Sequence, residues 1–145
     1  MFKKLLHTIV LVAATMMTLS SCQKEETVQN VQLEVNANNI SGKWELVSIN
    51  GRELLEGTYL HIEFTRNDRT YVITDGIQGN PNAPKTFDGR YDFEYDDALG
   101  TILVGLYNHD TGLWNDSYIV TLEPSIMTLE SQHTGEVQTF RKIVD

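Results

Sequence analysis

Residues Thr86–Asp97 read TFDGRYDFEYDD. Phe87, Gly89, Tyr91, Phe93 and Tyr95 fall on one parity; Asp88, Arg90, Asp92, Glu94 and Asp96 fall on the other. Strict two-residue alternation of aromatic and charged side chains is the pattern of a strand with one face buried and one face wet. A helix would scatter both sets around its circumference. The aromatic parity is therefore expected to face a core.

The same alternation continues on both sides of this stretch. From Gly42 onward the chain divides into about eight short runs bounded by turn residues. They are KWELVSIN (43–50), YLHIEFTR (59–66), RTYVITD (69–75), TFDGRYDFEY (86–95), TILVGLYN (101–108), LWNDSYIVTLE (113–123), IMTLES (126–131) and EVQTFRKIV (136–144). Leu60, Ile62 and Phe64 are expected inside, against His61 and Glu63 outside. Trp114, Asp116, Tyr118, Val120 and Leu122 share another face. Asp116 is the odd member: it orients a ligand if the strand is buried there, and meets water if the strand is half exposed or bulged. The one helical turn expected is RELLEG (52–57).

The connections carry the topology. Asn67-Asp68, DDALG (96–100) and EPS (123–125) are short; GRELLEGT (51–58), GIQGNPNAPK (76–85), HDTG (109–112) and QHTGE (132–136) are longer on average and richer in Gly. In an up-and-down meander, odd and even connections collect at opposite ends. One end is then a tightly turned floor and the other a looped mouth. The predicted fold is all-β, an antiparallel up-and-down barrel of about eight strands. A two-sheet sandwich has similar loop lengths, but every connection here suits a hairpin neighbour, and closure removes exposed edges.

Ser41–Asn50 reads SGKWELVSIN. Gly42-Lys43-Trp44 at the start of the first strand resembles the Gly-x-Trp signature of lipocalins. It is more similar still to the lipocalin-like domains of small Bacteroidota lipoproteins, which close with an aromatic and a basic residue, as in TFRKI (139–143). The resemblance implies a barrel over 41–145, with Gly42, Trp44 and Arg141 as a structural set at its floor. Arg141 would stack on the Trp44 indole; Lys142 serves instead if Phe140 takes the inward parity. A second family, of the META or heat-shock-lipoprotein type, opens with similar text but carries a Gly-Cys-Asn element that this sequence lacks.

The single cysteine gives an address. Lys3 and Lys4 precede an apolar run, Leu5 to Leu19, that is short for a membrane span and ends in LSSC. That order is the layout of a secretory signal over 1–21. LSSC resembles the bacterial lipobox, which implies acylation of Cys22 and cleavage before it. With no second cysteine, Cys22 has no intramolecular disulfide partner. Gln23, Lys24, Glu25 and Glu26 resemble the export signal of surface-displayed Bacteroidota lipoproteins. The expected location is the outer membrane, lipid-anchored through Cys22 and exposed at the cell surface. Residues 22–40 are polar and sparse in apolar side chains, and are expected to be a flexible tether.

The formal charge is −9, and loss of Lys3 and Lys4 on cleavage takes it to −11. Such a chain repels nucleic acid, so no nucleic-acid partner is expected. No activated nucleophile or phosphate-binding loop is present in the sequence. His109, Asp110 and His133 are loop residues and a weak zinc set. Asp92, Glu94, Asp96 and Asp97 alternate along a strand rather than forming a calcium loop. No catalytic residue, metal or cofactor is expected. The expected function is binding of a small apolar or aromatic ligand in the barrel, against Phe87, Tyr91, Phe93, Trp114 and Tyr118. The alternative is a protein-binding barrel, acting as a peptidase inhibitor or a subunit of an outer-membrane assembly.

Overall fold

A computed structural model of the protein describes residues 31–105 and 117–144. Cys22, Gln23, Lys24, Glu25, Glu26, His109, Asp110, Trp114 and Asp116 lie outside the described residues. One helical turn, α1 (Ala37–Ile40), leads into β1 (Gly42–Ile49), β2 (Arg52–Glu53), β3 (Leu60–Thr65), β4 (Thr70–Asn80) and β5 (Ala83–Asp96). Then follow β6 (Gly100–Gly105), β7 (Ser117–Leu122), β8 (Ile126–Ser131) and β9 (Val137–Lys142).

From β3 to β9 each strand pairs antiparallel with the next, β1 pairs with β3, and β9 returns to pair with β1. The result is the expected closed up-and-down barrel of eight strands; β2 is a two-residue strand hydrogen-bonded to the far end of β1. Parity sets its inside. Leu60, Ile62 and Phe64, then Tyr71 and Ile73, then Tyr118, Val120 and Leu122 are buried, alternating with exposed or half-buried neighbours. Between Leu46 and Ser48 the β1–β9 register shifts by one residue. Such a bulge re-aims the strand, and Ile49 beyond it packs against the core.

The Gly-x-Trp motif has a physical basis at the floor. Gly42 adopts φ +111°, which only glycine tolerates well. A Cβ there would meet Lys142 Cε at 3.3 Å. Trp44 is fully buried, and its indole N–H donates to the Ile40 carbonyl at 2.7 Å. The expected stacking of Arg141 on Trp44 is corrected. Phe140 takes the inward parity and is fully buried, so Arg141 turns outward to pair with Glu45 at 2.9 Å. Lys142 lies over the indole instead, with Nζ 5.0 Å from its centre. Lys142→Met is therefore expected to lower the unfolding free energy by about 0.5–2 kcal/mol, the range of an ammonium–indole contact. Arg141→Met removes only a half-exposed surface pair, expected to contribute less than about 1 kcal/mol. Urea midpoints of the two variants decide between the two basic residues.

The helical turn expected at 52–57 does not form; Arg52–Glu53 is the strand β2 instead. Two longer segments also depart from expectation. The tether does not run free to residue 40. Leu33 N–H donates to the Leu122 carbonyl at 2.7 Å, and Leu33, Val35 and Ala37 pack against the core. Asn36 caps α1 by accepting from Asn39 N–H at 2.9 Å, which places Ile40 in full burial under Trp44. Residues 33–40 thus plug the floor, and the domain begins before residue 41.

The second departure is at 76–85, expected as a loop. β4 and β5 continue past the barrel as a two-stranded arm and still pair at Asn80 and Ala83. The register shift between Asp75 and Asn80 is absorbed by side-chain chemistry. Asp75 Oδ1 accepts the N–H groups of Ile77 and Gln78 at 2.7 and 2.9 Å. Gly79 sits where a Cβ would come within 3.0 Å of the Asp75 carbonyl oxygen and the Lys85 nitrogen. Asn80 Oδ1 closes the turn by accepting from Asn82 N–H at 3.0 Å. Gly, Asn and Pro here punctuate a tight hairpin rather than a loop.

Candidate ligand site

The looped end of the barrel carries a cleft of about 530 Å³. Ile49, Leu54, Leu55 and Ile77 line it together with the charged Arg52 and Glu53. The β1 bulge delivers Ile49, the β2 turn delivers Leu54 and Leu55, and the β4–β5 arm delivers Ile77. Ile49 and Leu54 also pack against the core, so the cleft floor is continuous with the barrel interior. Leu55 is 81% exposed and Ile77 38%, which leaves an apolar rim facing solvent.

The arm is held in place from outside. The Tyr59 ring lies over Gly76, where a Cβ would fall only 2.8 Å from the ring, and the Tyr59 hydroxyl donates to the Pro81 carbonyl at 3.2 Å. The Gly76 N–H in turn donates to the Tyr59 carbonyl at 2.8 Å. Tyr59 also stacks on His61, with ring centres 5.1 Å apart. Burial, aided by Lys43 and opposed by Glu45, lowers the His61 pKa. His61 is thereby biased toward its neutral form on the outer wall.

The described aromatic candidates divide by height. Tyr91 is buried toward the floor: its ring meets Phe64 edge-on at 5.2 Å and Phe93 at 5.6 Å, and its hydroxyl donates to the Thr65 carbonyl at 3.2 Å. Burial raises the Tyr91 pKa, with Arg69 opposing, so the phenol stays neutral. Phe87 lies mouthward on β5, opposite Ile73, and is half-buried. Tyr118 is buried near the mouth end of β7, opposite Leu103 and Ser131. Phe87 and Tyr118 thus lie in the mouth half of the barrel and Tyr91 and Phe93 in the floor half, and none of the four is among the lining residues of the cleft. Tyr95 shares the aromatic parity but is 75% exposed, because it sits in the last pairs before the β5–β6 turn.

One interior residue escaped the sequence reading. Asp75 is fully buried on the inward parity of β4, after Tyr71 and Ile73. It was passed over because it ends an apolar run and precedes Gly, where Asp ordinarily marks a turn. Its parity was the available signal: the spacing Tyr71, Ile73, Asp75 is the two-residue period of one face.

An eight-stranded, up-and-down, closed antiparallel barrel with a Gly-x-Trp floor and an apolar mouth defines a lipocalin-like protein. The family model described as a lipocalin-like domain matches residues 40–129, more than half of the chain. The chain belongs to the lipocalin-like domain family. A search of curated proteins finds no match.

Proposed function

We propose that this protein is a surface-anchored, non-enzymatic lipoprotein that binds a small apolar or aromatic ligand through the mouth of its barrel. The observation that carries the reading is the cleft at the mouth, whose apolar lining residues Ile49 and Leu54 also pack against the barrel core. Small-molecule sites combine apolar walls with polar groups that orient the guest, and here Ile49, Leu54, Leu55 and Ile77 stand beside Arg52 and Glu53. The anchor rests on the order of Lys3, Lys4, the apolar run and LSSC ending at Cys22. The described chain joins the barrel at its floor through Leu33, which turns the mouth away from the bilayer to which Cys22 would be attached. The solvent-facing Leu55 and Ile77 favour a second reading, in which the rim docks a protein partner.

Native mass spectrometry of the lipoprotein, purified gently from its own host, tests these readings together. The expected spectrum is a chain starting at Cys22 with acyl mass, plus a reproducible non-covalent adduct of small-molecule size that is lost in Tyr118→Ala. A chain without acyl mass would sink the anchor. A bare barrel that takes up no small apolar compound would sink the ligand reading, and a stoichiometric protein partner would replace it with the second.

A further inference from the structure

We infer that Asp75 is the polar anchor of the barrel and that the ligand it selects is an amine on an apolar or aromatic body. The inference rests on the ligand-binding reading above and names the chemistry of the guest.

Asp75 is 0% exposed and carries two oxygens with different fates. Oδ1 accepts two backbone N–H groups, from Ile77 and Gln78, and so holds the register shift of the β4–β5 arm. Oδ2 is buried and receives no hydrogen bond from the described residues. Lys85 is its cross-strand neighbour on β5, yet Lys85 is exposed, and the ion pairs among the described residues are Arg69–Asp92 and Arg141–Glu45. Buried carboxylate oxygens nearly always meet a donor, because stripping their water without replacement is unfavourable.

The structural duty of this residue does not require an acid. An asparagine at 75 would supply the same Oδ1 acceptor to Ile77 and Gln78, with a donor amide in the other position. Aspartate instead places a bare acceptor on the inner wall. Asp75 is not itself a lining residue of the cleft, but it is tied to the cleft through Ile77, whose N–H its Oδ1 holds and which does line it. Leu60 and Ile73, beside Asp75 on the inward face, are apolar and buried, and Phe87 stands opposite Ile73. A guest that suits both surfaces has an apolar or aromatic body and a donor head. A cationic amine fits best, since a charge-assisted hydrogen bond in a water-poor site is stronger than a neutral one. The net charge of −9 also draws cations, not anions, toward the molecule.

The test uses the acylated lipoprotein in lipid nanodiscs, with empty nanodiscs as the blank, and three indole probes of closely matched bulk. Tryptamine carries the amine, tryptophol a neutral hydroxyl, and indole-3-propionate an anion. Calorimetry is expected to show tryptamine binding about tenfold or more tighter than tryptophol, the scale of a charge-assisted hydrogen bond. Indole-3-propionate is expected to be weakest. Asp75→Asn keeps the backbone contacts and is expected to bring the tryptamine-to-tryptophol ratio near unity while tryptophol still binds. If tryptophol binds and tryptamine gains nothing over it in the wild type, the amine inference is overturned and the cup survives. If none of the three binds, both fail. The wild-type comparison is decisive by itself should the variant not fold.

Discussion

Trp44→Ala is expected to lower the unfolding free energy by about 3–5 kcal/mol, the range for truncating a fully buried large aromatic. Trp44 is 0% exposed and heads the floor of the core. Three consequences of its loss coincide. The removed ring leaves a cavity among side chains that form a closed barrel and cannot readily collapse inward. The Ile40 carbonyl loses the indole N–H that it accepts at 2.7 Å. Lys142 loses the ring over which its ammonium lies. Domains have total stabilities of roughly 5–15 kcal/mol, so this single change removes a large part of the margin. Trp44→Phe restores most of the volume but not the hydrogen bond, and is expected to cost less, about 1–3 kcal/mol. Urea unfolding followed by circular dichroism checks both. A Trp44→Ala midpoint equal to wild type would mean that the floor is not where the barrel is held together.

The second large effect concerns the segment under that floor. A soluble chain beginning at Ser41 is expected to be less stable than one beginning at Gln23 by at least about 2–5 kcal/mol, the cost of losing one large buried aliphatic. Ile40 is fully buried, and Leu33, Val35 and Ala37 add partly buried contacts. Truncation removes them all, along with the acceptor for the Trp44 indole and the donor that Leu33 gives to Leu122. Both chains lack Cys22 and everything before it, so the comparison isolates the contribution of the plug. Equal midpoints would return residues 33–40 to the status of a tether.

How much of this was legible follows from which forces act locally. The alternation at 87–95 and the runs on either side of it are local, and they gave the strands, the inside and the closed barrel. The plug was not legible because Leu33, Val35 and Ile40 are scattered among polar residues; their burial depends on a floor that exists only after the barrel closes. The arm at 76–85 was hidden by turn residues that break a long strand but suit a projecting hairpin. Arg141 and Lys142 are adjacent and alike in charge, so only the inward parity of Phe140 separates them. Alternation did put Phe87 and Tyr118 on the inward face. Asp75 was not legible as an interior residue because an acidic residue at the end of a run is ordinarily a turn signal.

Closure by the first and last strands also fixes when the molecule can form. Trp44 pairs with Lys142 across nearly the whole domain, and Ile49 with Gln138. A growing chain that has not yet delivered Val137–Lys142 leaves β1 and β8 without the neighbour that joins them. Such long-range pairings are entropically slow to make, since the loop must close before any contact rewards it. Closure therefore waits until Val137–Lys142 has been made, and a partial chain without it keeps two unsatisfied edges. Those edges are open to a chaperone or to another copy until β9 arrives.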